Sequence, residues 1–218
     1  MSSRYAVLIK LDGVIIDIRA ATRTAIAAVA SAELGRIITP EQVPPDVAPS
    51  PADALVVLGV TNPDDACAER FDTALATALG EADVLQPVLA GMAELHARGA
   101  AIRVLTSQAR HGVAGLLPST AVDLLDLAGA DLRTGTPDRE GIRTALEALG
   151  VPAERAMYIG DTPADVRAAR AAGVLAVSAG WGRCTVETLQ RAGADLLLTE
   201  PGQVGGGLLY LLAGRGPM

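Results

Sequence analysis

Apolar residues follow two rhythms along this chain, short unbroken runs and longer stretches at helical spacing, with glycine and proline marking the changes between them. Tyr5 to Ile9 is a continuous apolar run followed by Gly13, as expected of a strand buried on both faces. Over 18–34 the apolar positions recur at helical intervals, with Asp17 placed to cap the start and Gly35 to end it. Pro40, Pro44, Pro45, Pro49, Pro51 and Pro63 then leave room for only a short helix over 52–58, and a second helix is predicted over 64–79. From Pro87 helix and strand alternate: a helix over 88–98 closed by Gly99, and a strand over 102–105. A helix near 113–117 and a strand near Asp131 are more faintly signalled. Beyond them come a helix over 142–149 ending at Gly150, a strand over 156–159, a helix over 165–172 ending at Gly173 and a strand over 175–178. A helix over 186–192, a strand over 196–198 and a short last helix after the glycines 205–207 complete the chain. This order predicts an α/β fold, a doubly wound and mostly parallel sheet whose site lies at the carboxyl ends of its strands. Residues 17–84 read as a helical insertion after strand one, leaving 1–16 and 85–218 as the core.

Composition narrows the partners. Half of the 218 residues are hydrophobic but only 2% are aromatic, so the core must be built from Ala, Val, Leu and Ile. A formal charge of −7 repels phosphate backbones and anionic lipid, which excludes nucleic acid and membrane surfaces as expected partners. Cys67 and Cys184 stand far apart and outside any metal-ligand spacing, and no apolar run is long and uncharged enough for a signal or membrane segment. A cytoplasmic protein acting on a small molecule is the expectation. Of the 18 basic residues 17 are arginine, and Lys10 is the only lysine.

Three segments carry candidate chemistry. Gly160-Asp161-Thr162-Pro163-Ala164-Asp165 places two carboxylates at the end of a predicted strand, where a hard cation such as Mg²⁺ finds its preferred oxygen ligands. The structural alternative is that Asp161 and Thr162 cap the next helix while Asp165 supports its first turn. Asp12-Gly13 follows the first strand, and Thr106-Ser107 follows the strand over 102–105. Each of these two alone is weak, because strand-to-helix turns favour such residues.

Taken together and in order, these segments resemble the haloacid dehalogenase superfamily, in particular its phosphoglycolate-phosphatase-like branch with a small helical cap. The resemblance also draws on the trailing Ala168-Ala169-Arg170-Ala171-Ala172-Gly173, on Trp181-Gly182 and on Ala192-Gly193-Ala194-Asp195. It implies a Rossmann-like core over 1–16 and 85–218 and an α-helical cap over 17–84. In such phosphatases strand one ends in Asp-x-Asp-Gly-Thr, and the first aspartate forms an aspartyl-phosphate and binds Mg²⁺ while the second is general acid and base. A lysine followed by proline completes the set. Here Lys10 stands at the position of the first aspartate, Val14 at the threonine and Thr136 at the lysine.

The resemblance therefore implies a hydrolase-like protein without its nucleophile: a repurposed enzyme for a small anionic or carbonyl substrate, or a ligand-binding pseudophosphatase. The alternative is an Mg²⁺-dependent small-molecule phosphatase of the phosphoglycolate phosphatase type, in which Asp12 would have to attack. Lys10, Asp12, Thr106 and Asp161 are the candidate catalytic residues, and Gly13, Ser107 and Thr136 the candidate substrate contacts. Asp12, Asp161 and Asp165 would hold a metal wherever one binds; no cofactor is expected, Mg²⁺ being the one ion the resemblance implies. For Lys10 three roles stand open: an ammonium taking the cation's place among Asp12, Asp161 and Asp165, a reactive or anchoring amine, or no role. His111, Arg133, Arg139 and Trp181 are secondary candidates, with surface or packing roles as their alternatives.

Overall fold

The computed structural model describes residues 5–44, 51–79, 83–106, 126–128 and 138–213. The chain divides into two compact units, Met1–Ile16 with Val84–Met218 and Asp17–Asp83.

The first unit is built on six strands: β1 (Tyr5–Lys10), β2 (Ala100–Leu105), β3 (Asp126–Ala128), β4 (Ala156–Gly160), β5 (Leu175–Ala179) and β6 (Leu196–Leu198). They form one sheet in the order β3-β2-β1-β4-β5-β6, and every pairing is parallel. β1 is central, flanked by β2 on one side and β4 on the other, so the order of connection reverses beside it. Crevices open at such a reversal, just beyond the carboxyl ends of the strands.

The period of two along a strand decides which side chains face which layer. Ala6 and Leu8 of β1, Ala156 and Tyr158 of β4 and Ala176 of β5 share one buried cluster with Ile142, Ala145 and Leu146 of α5 (Arg139–Leu149) and Val166, Ala168 and Ala169 of α6 (Pro163–Ala172). Lys10 continues the Ala6, Leu8 series, so its side chain leaves the sheet on the α6 side. α4 (Gln86–Ala97) packs along β2, and its Gly91 admits the backbone of Val204 so closely that a Cβ there would overlap the Val204 carbonyl oxygen. The short helices α7 (Val186–Arg191) and α8 (Leu209–Ala213) complete this unit.

The second unit holds α1 (Ile18–Leu34), α2 (Pro51–Val57) and α3 (Asp65–Leu79), with α1 packed along α3. Its core gathers Ala25, Ile26, Val29 and Ala30 of α1 with Leu55, Cys67 and Phe71. Asp17 caps α1 by accepting from the Arg19 N–H, and Gly35 closes it at φ +60°.

Several boundaries differ from the sequence reading, among them those of α4 and β2, and three of the differences have local reasons. α5 begins at Arg139 rather than 142, because the Asp138 side chain accepts from the Gly141 N–H and starts the helix a turn earlier. α6 begins at Pro163 rather than 165, proline being well suited to the first helical position. β3 lies over Asp126–Ala128, a stretch without β-branched or aromatic residues that periodicity did not single out. The helix near 113–117 and the strand near Asp131 lie outside the described residues. Among the described residues no helix is long and apolar enough to cross a membrane.

Candidate functional site

β1 ends at Lys10 and β4 ends at Gly160, side by side at the sheet's switch point. After β1 the chain folds into a tight turn in which the Leu11 carbonyl accepts from the N–H groups of Ile15 (2.9 Å) and Ile16 (3.1 Å). Gly13 donates to the Ile16 carbonyl at φ +85°, a backbone conformation that costs glycine least. Asp12 is half-buried in this turn and forms an isolated bridge with Ile16. Across the crevice the loop after β5 reaches back, and the Trp181 indole donates to the Val14 carbonyl (3.2 Å).

Lys10 meets Asp161 and Asp165 here, 151 and 155 positions away in sequence. The Lys10 ammonium donates to Asp161 Oδ1 (2.7 Å) and to Asp165 Oδ2 (2.8 Å). Lys10 is 8% exposed, Asp161 fully buried and Asp165 1% exposed. Burial by itself would drive the ammonium to give up its proton, but the charges of Asp161 and then Asp165, with the two hydrogen bonds, outweigh it and raise the Lys10 pKa above 10.5. Burial likewise opposes ionisation of Asp165, and Lys10 together with Thr162 holds its carboxyl below 3.8 nonetheless. The pair is therefore ionised at neutral pH.

The remaining oxygens are also occupied. Asp165 Oδ2 accepts from the Asp161 N–H (3.1 Å), the Thr162 N–H (2.9 Å) and the Thr162 hydroxyl (2.7 Å) as well as from Lys10. Its Oδ1 accepts from the hydroxyl of buried Tyr158 (3.1 Å), whose own pKa burial and Asp165 push well above the usual range. Asp161 Oδ2 accepts from the Arg183 N–H (2.8 Å). Thr162 is the N-cap of α6 and forms a capping box with Asp165. The helix-capping alternative thus describes Thr162 and Asp165, whereas the Asp161 side chain turns to Lys10 and Arg183. Two glycines make the close approach possible: a Cβ on Gly160 would overlap the Asp165 side chain, and one on Gly182 would overlap Asp161 and the Gly13 carbonyl.

This arrangement does not fit Mg²⁺. A small divalent ion needs oxygen lone pairs at about 2.0–2.1 Å in near-octahedral order. Every carboxylate oxygen of Asp161 and Asp165 already accepts a hydrogen bond, one on each residue from the ammonium itself. Among the described residues no group of three His, Cys, Asp or Glu side chains stands at metal-binding spacing.

Thr106 follows β2 and is buried beside the β1 end, where the Leu11 N–H donates to the Leu105 carbonyl (3.0 Å). Ser107, Thr136, His111 and Arg133 lie outside the described residues. Arg139 is exposed on α5. Sequence reasoning missed Tyr158 and Arg183. The first sits on the Lys10 face by strand alternation and was open to that inference; the second acts through its backbone, which no side-chain pattern reveals.

Comparison with known proteins agrees with the fold. Over 116 residues the chain is 35% identical to the phosphoglycolate phosphatase of Rhodospirillum rubrum, covering 51% of this chain and 48% of that one. It is 33% identical over 137 residues to the phosphoglycolate phosphatase of Caulobacter vibrioides, covering 61% and 57%. The matched stretch spans about half the length of these curated relatives. Among solved structures, a haloacid dehalogenase-like hydrolase from Streptococcus pneumoniae superposes with a TM-score of 0.71 at 20% identity, covering 97% of this chain and 100% of that one. A family hydrolase from Deinococcus radiodurans, bound to phosphate and sodium, gives 0.72 at 20%, covering 99% and 98%. At such identity the superpositions speak for the fold. The model of the haloacid dehalogenase-like hydrolases matches residues 7–179, from the first strand through the fifth, and the chain belongs to that family.

Proposed function

We propose that this protein is a ligand-binding member of the family that does not run aspartyl-phosphate chemistry, with 17–84 as its cap and the ends of β1, β2 and β4 as its site. One observation carries the reading: the residue at the first-motif position is an ammonium held at 2.7 and 2.8 Å between Asp161 and Asp165. A protonated amine has no lone pair with which to attack phosphorus or a carbonyl carbon. The raised Lys10 pKa favours a fixed cation over a Schiff-base amine, which needs its proton lost near neutral pH. Asp12 and Thr106 remain at the crevice as the groups a small molecule would meet.

A second reading has its own support. Asp12, Thr106, Asp161 and Asp165 are all retained and the curated relatives are named phosphoglycolate phosphatases, which favours an Mg²⁺-dependent small-molecule phosphatase with Asp12 as the attacking carboxylate. It requires Lys10 to leave its two partners.

Hydrolysis of p-nitrophenyl phosphate and phosphoglycolate with Mg²⁺ decides between them. We expect no release of phosphate above a Lys10→Ala control. Robust turnover that is lost in Asp12→Asn would establish the phosphatase instead. Borohydride reduction in the presence of small aldehydes or keto acids near neutral pH is expected to leave Lys10 unmodified, and saturable trapping at Lys10 would point to a carbonyl-directed enzyme.

A further inference from the structure

We infer that Lys10 is a tethered resident cation that keeps divalent metal out of this protein, and that Asp161 and Asp165 form a latent metal site exposed only when the ammonium is removed. The inference rests on the proposed reading of position 10 but concerns occupancy rather than turnover. Its basis is the count of donors. Asp165 Oδ2 accepts from four groups and Oδ1 from Tyr158, while Asp161 divides its oxygens between Lys10 and the Arg183 N–H. Of these donors only the ammonium carries a positive charge. A metal entering the cluster would have to displace it and meet its repulsion at close range.

Displacement has nowhere easy to go. Lys10 is a strand residue paired with Leu105 across β1 and β2, so its Cα is fixed, and its side chain is buried and ion-paired to Asp165 in the first turn of α6. An intramolecular ammonium is also present at high effective concentration whatever the metal content of the solution. Once that charge is gone, the structure leaves two buried carboxyl groups side by side at a sheet switch point, with Asp12 two residues from the gap. Oxygen ligands of this kind suit a hard cation.

The test uses Mn²⁺ as the probe, followed by electron paramagnetic resonance of the free ion and by calorimetry, with Mg²⁺ for thermal shifts. The unaltered protein is expected to show no saturable Mn²⁺ binding in the millimolar range and no change of Tm with Mg²⁺. Folded Lys10→Ala should bind one ion per chain, on the order of a hundredfold tighter or more, and gain Tm with Mg²⁺. Lys10→Gln, which removes the charge but keeps most of the side chain, serves where the alanine variant does not fold. Saturable binding to the unaltered protein that Asp161→Asn abolishes overturns the inference, as does a folded, charge-free variant that binds no better. Metal-independent phosphatase turnover would sink the proposed function and leave this inference standing; metal binding without turnover would do the reverse.

Discussion

A lone ammonium in a protein interior costs several kcal/mol in lost hydration, and Lys10 is sustained only because two carboxylates and a fixed backbone surround it. Removing one partner of such a cluster leaves the others uncompensated. Lys10→Met, close in volume and uncharged, is expected to cost about 3–5 kcal/mol in urea unfolding, because it strands Asp161 and Asp165 in the interior. The pH profile of that loss identifies its cause. Asp165 has a depressed pKa, so its share of the stability is present above the unfolded value near 3.8 and fades as pH falls through the folded one. Lys10 has a raised pKa, so its share is complete below 10.5 and fades as pH climbs through the folded value. The stability difference between unaltered protein and Lys10→Met should therefore hold level between those limits and shrink at both ends. A difference that stays constant into strong acid and alkali would assign the loss to packing. Tyr158→Phe removes one donor among five to Asp165, and about 1–2 kcal/mol is the expected cost in the same measurement.

At the scale of elements, three close approaches bring the cluster together: strand end to helix start, loop to turn, and glycine to carboxylate. Gly160 and Gly182 are needed for their lack of a side chain, since a Cβ on either would occupy space held by Asp165 or Asp161. Gly182→Ala is expected to push the 180–185 loop away from Asp161, breaking the Arg183 N–H bond and the Trp181 bond to Val14 together. Trp181 is the only tryptophan, so its fluorescence reports the shift directly, and an unchanged emission spectrum would show the loop has not moved. Most of this level was legible beforehand. The strand runs, the caps Asp17 and Thr162 and the stops at Gly35, Gly150 and Gly173 follow from local chemistry that acts within four residues. β3 and the Arg183 contact were not legible, because one depends on a neighbouring strand for its definition and the other on a backbone N–H that every residue possesses.

For the whole molecule, the parallel order β3-β2-β1-β4-β5-β6 places the ends of β1 and β4 together, and the departures from the family pattern become a matter of total charge. The resemblance drawn from the sequence implies one carboxylate and one lysine in the family where this chain has Lys10 and Thr136. Restoring the carboxylate alone leaves it beside Asp161 and Asp165 with no lysine anywhere in the chain. Lys10→Asp is therefore expected to fold poorly in the absence of a divalent ion and to show little phosphatase activity with one. Lys10→Asp combined with Thr136→Lys supplies both charges and has the better prospect of Mg²⁺-dependent turnover of p-nitrophenyl phosphate. Activity in the single variant equal to that of the double would show that residue 136 has no part in the chemistry.

Sequence by itself determined the α/β class, the helical insertion after strand one, the family and the unusual residue at position 10. These are carried by local periodicity, by capping chemistry and by residue identity, none of which needs the chain to be folded to be read. Only the tertiary structure decided what Lys10 touches. The choice between displaced cation, reactive amine and bystander depends on distances of 2.7 and 2.8 Å to residues more than 150 positions away, and on the burial that makes those distances count. Strand alternation could point the side chain to the α6 side. The carboxylates that meet it there are held in place by Tyr158, Thr162 and the backbone of Arg183, contacts that exist only once the strands and loops have come together.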